Sequence, residues 1–118
     1  MQAMWRWLAV VLCMGVIFAL SATPSLASPF EPFYDFVLRK LAHGAEYVVL
    51  TALLFRALRL HMARRDHALL MAILVAMMYA FSDEWHQTLV PGRDGSLRDV
   101  SVDALGIAAM AIWLRSVR

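Results

Sequence analysis

Four long apolar stretches, separated by short polar connections, organise the chain. They cover residues 5–22, 36–58, 68–86 and 97–117. Each is close to the roughly 20 residues that an α-helix needs to cross about 30 Å of hydrocarbon. The connections contain Pro, Gly and Arg residues, which are typical of turns and of the flanks of membrane helices. The pattern predicts an all-α fold, an integral membrane four-helix bundle.

The composition favours a membrane protein over a soluble one. Of the 118 residues, 62% are hydrophobic and 17% are charged, whereas soluble domains have about 45–50% and about 25%. A soluble domain this short would leave much of that apolar excess exposed to water. Although the net charge is +2, basic residues do not alternate with aromatic ones in a run, which argues against a nucleic-acid partner. The lipid bilayer is the expected environment, and the length favours a single domain over residues 1–118.

The positions of Arg predict how the helices are oriented in the membrane. Arg6, the connection 56–65, Arg115 and Arg118 fall at the same end of the predicted bundle. Short loops rich in Lys and Arg remain in the cytoplasm. We therefore expect a protein that crosses the cytoplasmic membrane several times, with both termini in the cytoplasm.

The first apolar stretch has a second interpretation as a signal peptide. Arg6 precedes an apolar run, and Ser25-Leu26-Ala27 has the small residues of a cleavage site. If residues 1–27 are removed, three spans remain. Their predicted orientation does not change, because the later connections keep their charges.

Small residues predict which helices pack together. They recur every four residues on the third stretch and at similar spacing on the fourth. They are Ala72, Ala76 and Ala80, and Ala104, Gly106 and Ala108. Ridges of small residues let helix backbones approach closely in lipid. We expect the third and fourth helices to pack along these ridges.

Polar residues converge at the predicted outer end of the bundle. Ionisable groups at membrane depth are costly, so they normally face the bundle interior and find partners there. On each of the last three stretches, polar residues spaced by three or four positions lie on one helical face. Because successive helices alternate in direction, these polar faces meet at one end of the bundle. The candidate functional residues, called the polar cluster below, are His43, Glu46, Tyr47, Asp83, Glu84, Gln87, Arg93, Asp99 and Asp103.

The connection before the fourth stretch supplies the arginine of this cluster. Its sequence is Pro91-Gly92-Arg93-Asp94-Gly95-Ser96. Pro-Gly and Asp-Gly pairs mark tight turns, which predicts that Arg93 is aimed at the carboxylates. Arginine grips phosphate or carboxylate through two parallel hydrogen bonds, so this position favours an anionic ligand. Ser96 and Asp99 form a capping-box pattern that predicts the start of the fourth helix.

An ordered series of motifs runs through the last three stretches. It consists of Lys40-x-x-His43-x-x-Glu46-Tyr47-x-x-Leu50, Asp83-Glu84-x-x-Gln87, Pro91-Gly92-Arg93-x-Gly95-Ser96-x-x-Asp99-Val100 and Leu105-Gly106. Over residues 33–115 this series resembles the VanZ-like family of small bacterial membrane proteins. The resemblance implies a multi-helix protein of the bacterial cytoplasmic membrane, related to an accessory factor associated with resistance to the antibiotic teicoplanin. Asp103 departs from the family pattern, which has Asn two residues before Leu-Gly, and it adds a negative charge.

Three functions fit the polar cluster. It can bind a cell-envelope component, such as a lipid-linked cell-wall precursor or another anionic ligand, with Arg93 on a phosphate. It can act as a hydrolase or transferase on a phosphate or ester, through acid–base chemistry or a divalent metal. The metal candidates are His43, Glu46, Glu84 and His86. It can also be structural, with buried polar contacts that fix the helix register.

The sequence does not decide between binding and catalysis. It assigns no catalytic residue and predicts no cofactor other than the alternative divalent metal. It also leaves the oligomeric state open.

Overall fold

Four α-helices form the regular structure of the computed structural model, which describes residues 1–22, 32–89 and 97–117. They are α1 (Gln2–Ala22), α2 (Pro32–Leu58), α3 (Arg65–Thr88) and α4 (Leu97–Ser116). These ranges contain no strand. The side chains of residues 22, 32–36, 97 and 98 lie outside the description. The predicted all-α bundle is confirmed, and α4 begins where the capping-box pattern places its start.

The surface of the bundle is apolar, as in a membrane protein. Among the described helices, three are long and apolar enough to cross a membrane, over Gln2–Ser21, Val37–Leu58 and Arg65–Thr88. The fourth, α4, has 20 residues but carries Arg98, Asp99, Asp103 and Arg115. Large apolar side chains face outward, such as Val11 and Ile112 with exposed fractions of 61% and 70%. Lipid can cover such a surface at no hydrophobic penalty, whereas water cannot.

The second helix is the centre of the bundle. It packs against α1, α3 and α4, and α3 also packs against α4 and α1. Within the described ranges α1 and α4 do not touch. Lys40 pairs with Asp99 and His43 contacts Asp103, so residue numbers increase together along α2 and α4. These two helices therefore run parallel, as alternating chain direction requires.

The backbones of α2 and α4 approach closely at Gly44 and Gly106. A Cβ atom on Gly106 would overlap the Gly44 carbonyl oxygen and lie 3.1 Å from its carbonyl carbon. A Cβ atom on Gly44 would only touch Val102, at 3.7 Å from Cγ1. The crossing thus requires the missing side chain of Gly106 in particular, which is how small residues act in helix pairs in lipid.

The alanine ridge of α3 is buried, as its spacing predicts. Ala72, Ala76 and Ala80 are fully buried in the core. The ridge predicted on α4 is wrong, because Ala108 is exposed, and the glycine between its two alanines packs against α2. The physical reason is Asp103, which is buried. An alanine is stable in lipid but a carboxylate is not, so the acid sets which face of α4 turns inward.

Arginine side chains close the end of the bundle at which α1 begins and α2 ends. This end is called the arginine-rich end below. Arg6 Nη1 donates a hydrogen bond of 2.8 Å to the carbonyl oxygen of Arg56 near the end of α2. Arg65 Nη2 donates to the carbonyl oxygens of Leu114 and Val117 at the end of α4. The last carbonyls of a helix have no partner within it, so these guanidinium groups cap both helices. The start of α1 and the end of α4 therefore lie at the same end of the bundle.

Candidate functional site

The polar cluster is built around His43, at the end of the bundle away from the capping arginines. His43 Nδ1 lies 3.6 Å from Asp103 Oδ1 and 3.8 Å from Glu46 Oε2. Glu46 is three residues after His43 on α2, whereas Asp103 comes from α4. Both distances exceed those of hydrogen bonds, about 2.7–3.2 Å, and the contacts are ion pairs only when the imidazole is protonated. The imidazole is thus flanked by carboxylates from two helices.

The glycine crossing explains why His43 and Asp103 meet. Gly44 directly follows His43, and Gly106 lies three residues after Asp103, on the same face of α4. Since the Gly106 backbone rests against that of Gly44, the two helices are close together where these polar side chains emerge. A short polar side chain such as Asp can therefore reach across from α4.

Asp83 enters the cluster from α3 and is held by α1. Ser21 Oγ donates a hydrogen bond of 2.8 Å to Asp83 Oδ2. Asp83 is only 3% exposed, and its other oxygen, Oδ1, is buried and has no hydrogen-bond partner within the described part of the chain. Ser21 is a site residue that the sequence reasoning missed. The only signal was a serine near the end of an otherwise apolar span.

An ion pair lies one helical turn nearer the start of α2. Lys40 Nζ pairs with Asp99 Oδ1, and both side chains are mostly buried. Asp99 is in the first turn of α4, where the helix dipole also favours a carboxylate. This pair balances one acid of the cluster and adds a second link between α2 and α4.

The remaining described members are also inside the bundle. Tyr47, Glu84 and Gln87 are buried. His86, which the sequence names only as a metal candidate, has its ring against that of Phe18 on α1, with centroids 4.3 Å apart. The predicted cluster members on α2, α3 and α4 therefore all lie toward the end of the bundle opposite the arginine-rich end. Arg93 lies outside the described residues.

Several buried polar atoms of the cluster and of the neighbouring His86 have no hydrogen-bond partner among the described residues. They are His43 Nδ1, Tyr47 Oη, Asp83 Oδ1, His86 Nδ1 and Asp103 Oδ1. An unsatisfied buried polar group costs about 1–3 kcal/mol, so native structures normally satisfy such groups with protein, water or a ligand. The arrangement therefore has unused capacity for hydrogen bonds with a polar molecule.

Among the described side chains of this region, carboxyl groups outnumber lysines and arginines. Five carboxyl groups belong to the cluster, from Glu46, Asp83, Glu84, Asp99 and Asp103. The structure describes two basic side chains on this part of α2, those of Arg39 and Lys40. A ligand that brings hydroxyl, amide or amino groups matches the carboxylates, whereas among the described side chains a phosphate would rely on Lys40, which already pairs with Asp99.

The geometry gives no support to the metal alternative. Throughout residues 1–22, 32–89 and 97–117, no three His, Cys, Asp or Glu side chains are grouped so as to hold a metal ion. Tight protein sites for transition metals use at least three such ligands. A metal held by His43, Glu46, Glu84 and His86 stays a prediction from the sequence alone.

A comparison with protein families identifies a match over nearly the whole chain. The family described as VanZ/LLP1 matches residues 4–118. This confirms the resemblance drawn from the motifs and extends it to α1, the helix that supplies Ser21. No curated protein and no solved structure matches the chain.

Proposed function

The chain belongs to the VanZ/LLP1 family, and we propose that it binds a cell-envelope component at the outer face of the bacterial cytoplasmic membrane. The observation that carries this proposal is the set of buried polar atoms on His43, Tyr47, Asp83 and Asp103 that have no hydrogen-bond partner among the described residues. A cluster that only fixed helix register would be expected to satisfy its own polar atoms. This one offers donors and acceptors to another molecule.

The outer-face assignment rests on the distribution of charge. Arg6, Arg56, Arg59, Arg64 and Arg65 lie near the opposite end of the bundle from the polar cluster. Arginine-rich ends of membrane helices remain in the cytoplasm. The cluster then faces the outside of the membrane, where the proposed envelope component would bind.

A lipid-linked cell-wall precursor fits the chemistry of the cluster. Its sugar hydroxyl and amide groups are donors for the buried oxygens of Asp83 and Asp103. Its phosphate is a partner for Arg93, and its lipid chain is soluble in the bilayer beside the helices. A relation to teicoplanin resistance, which the family resemblance implies, is part of the same proposal.

The first experiment separates function from structure at Asp83. Cells that express the wild type, Asp83→Asn or Asp66→Asn are compared for the amount of chain in the membrane and for teicoplanin susceptibility. Asp66 is an exposed acid at the other end of α3 and is a matched control. We expect Asp83→Asn to accumulate normally and to lose the resistance that the other two chains give. Loss of the variant from the membrane would instead favour the structural role, and full resistance would contradict the proposal.

Arg93 tests the anionic part of the ligand. Arg93→Lys keeps the positive charge but removes the planar fork of donors. We expect it to lose most of the resistance, and Arg93→Ala to lose all of it. If Arg93→Lys retains full activity while Arg93→Ala does not, charge alone is sufficient and the paired hydrogen bonds are not needed.

The position of His43 favours acid–base catalysis as a second candidate function. An imidazole flanked by carboxylates, here from Asp103 and Glu46, can accept and return a proton near neutral pH. The proposed substrate is a phosphate or ester of the same envelope component. Incubation of purified protein with a lipid-linked precursor, followed by mass spectrometry, tests this. Conversion that His43→Gln abolishes supports an enzyme, whereas binding without conversion supports the first candidate alone.

A further inference from the structure

A groove lies between α1 and α2 at the arginine-rich end. It is lined by Trp5, Arg6, Ala9, Leu53 and Arg56, and it has a volume of about 330 Å³ including its open mouth. We propose that this groove binds an anionic phospholipid, with the lipid phosphate between the two guanidinium groups. The site is at the opposite end of the bundle from the polar cluster and does not depend on the function proposed there.

Arg6 is held in position for such a ligand. Its Nη1 donates a hydrogen bond of 2.8 Å to the backbone carbonyl of Arg56. This bond uses one of the five N–H donors of the guanidinium group, so other N–H donors of Arg6 can bind a ligand. The bond also fixes the side chain on α1 against α2, so less conformational entropy is lost when a ligand binds.

The charges of the groove favour an anion. Arg6 and Arg56 bring two permanent positive charges from adjacent helices to one groove. Like charges repel each other, most strongly near the low dielectric of a membrane. A phosphate between them removes this repulsion and accepts paired hydrogen bonds from arginine.

The walls of the groove favour a lipid over a soluble anion. Ala9 and Leu53 are each three residues, or one helical turn, farther into the bundle than Arg6 and Arg56. They provide an apolar path for an acyl chain below the phosphate. Trp5 is 60% exposed at the mouth, and tryptophan is enriched at the level of lipid headgroups. Inorganic phosphate would use only the arginines.

The test uses the purified full chain and two lipids. Native mass spectrometry measures the retention of phosphatidylglycerol and of phosphatidylcholine with matched acyl chains. The main variant is Arg56→Gln, which keeps the backbone carbonyl that accepts the Arg6 bond. The control is Arg64→Gln, which makes the same charge change in the exposed connection between α2 and α3.

We expect the wild type and Arg64→Gln to retain phosphatidylglycerol preferentially, and Arg56→Gln to lose roughly five-fold of that preference, as for one surface arginine. Arg56→Lys, which keeps the charge, should lose less than Arg56→Gln. Equal losses for Arg56→Gln and Arg64→Gln would overturn the proposal, since general surface charge would then explain binding. A wild type that does not prefer phosphatidylglycerol would also overturn it. So would thermal unfolding in which inorganic phosphate stabilises the chain as much as phosphatidylglycerol does.

Discussion

Ser21 at the end of α1 donates a hydrogen bond of 2.8 Å to Asp83 in the middle of the polar cluster. The serine hydroxyl is directed into the bundle, where it occupies one carboxylate oxygen and leaves the other for a different partner. This contact makes α1 part of the site. Removal of residues 1–27 as a signal peptide would remove the donor.

The Ser21 contact predicts a loss of stability when the hydroxyl is deleted. We expect Ser21→Ala to lower the free energy of unfolding in detergent by about 1–3 kcal/mol, because a buried carboxylate oxygen loses its donor. Denaturant unfolding followed by circular dichroism measures this. Ser82→Ala, on the exposed side of α3, is the control and should change little. Equal effects of the two substitutions would show that the hydrogen bond does not stabilise the fold.

The two glycines at the crossing of α2 and α4 predict an asymmetry. Gly106→Ala should lower the free energy of unfolding by about 1–3 kcal/mol, as overpacking does, because the new Cβ overlaps the Gly44 carbonyl oxygen. Gly44→Ala introduces the same methyl group on the facing helix, at an ordinary contact distance from Val102. It should be tolerated much better in the same unfolding measurement. The opposite order, or equal losses, would contradict the observed crossing.

His43 and Asp103 should be energetically coupled. We expect the coupling energy in a double-mutant cycle of His43→Gln and Asp103→Asn to be about 0.5–3 kcal/mol, because His43 Nδ1 and Asp103 Oδ1 are 3.6 Å apart. Unfolding of the wild type, both single variants and the double variant provides the cycle. A parallel cycle of His43→Gln with Asp66→Asn, at the far end of α3, should be additive. Additivity in both cycles would mean that the two residues do not interact.

The predicted topology can be tested by labelling from outside the cell. In a Cys13→Ser background, single cysteines are placed at position 64 or at position 96. A membrane-impermeant maleimide applied to intact cells should react at position 96 and not at position 64, because the arginine-rich connection is expected in the cytoplasm. As a control, the maleimide is applied to permeabilised cells, where it should react with the cysteine at position 64. The reverse pattern would place the polar cluster on the cytoplasmic side.

The sequence predicts the helices well because their signal is long and strongly apolar. It also predicts that His43 and Glu46 share a face, since that follows from helical spacing alone. It does not predict Ser21, because a single serine in an apolar span is compatible with many positions. It predicts the inward face of α4 through Asp99 and Asp103 but assigns the alanine ridge of that helix wrongly, because alanine packs equally well against lipid or protein. The burial of Asp103 and the fit of Gly106 decided the orientation, and both depend on the facing helix.

The central claim is that the polar cluster binds a molecule of the cell envelope. Equilibrium binding of a lipid-linked cell-wall precursor to the purified chain in nanodiscs tests it most directly. His43→Gln is compared with His67→Gln, an exposed histidine at the other end of the bundle, after both variants are shown to keep their helix content. We predict saturable binding for the wild type and His67→Gln and at least ten-fold weaker binding for His43→Gln, since a hydrogen bond to a charged group is worth about 1.5–3 kcal/mol. Equal binding by all three chains, or no saturable binding by the wild type, would contradict the claim.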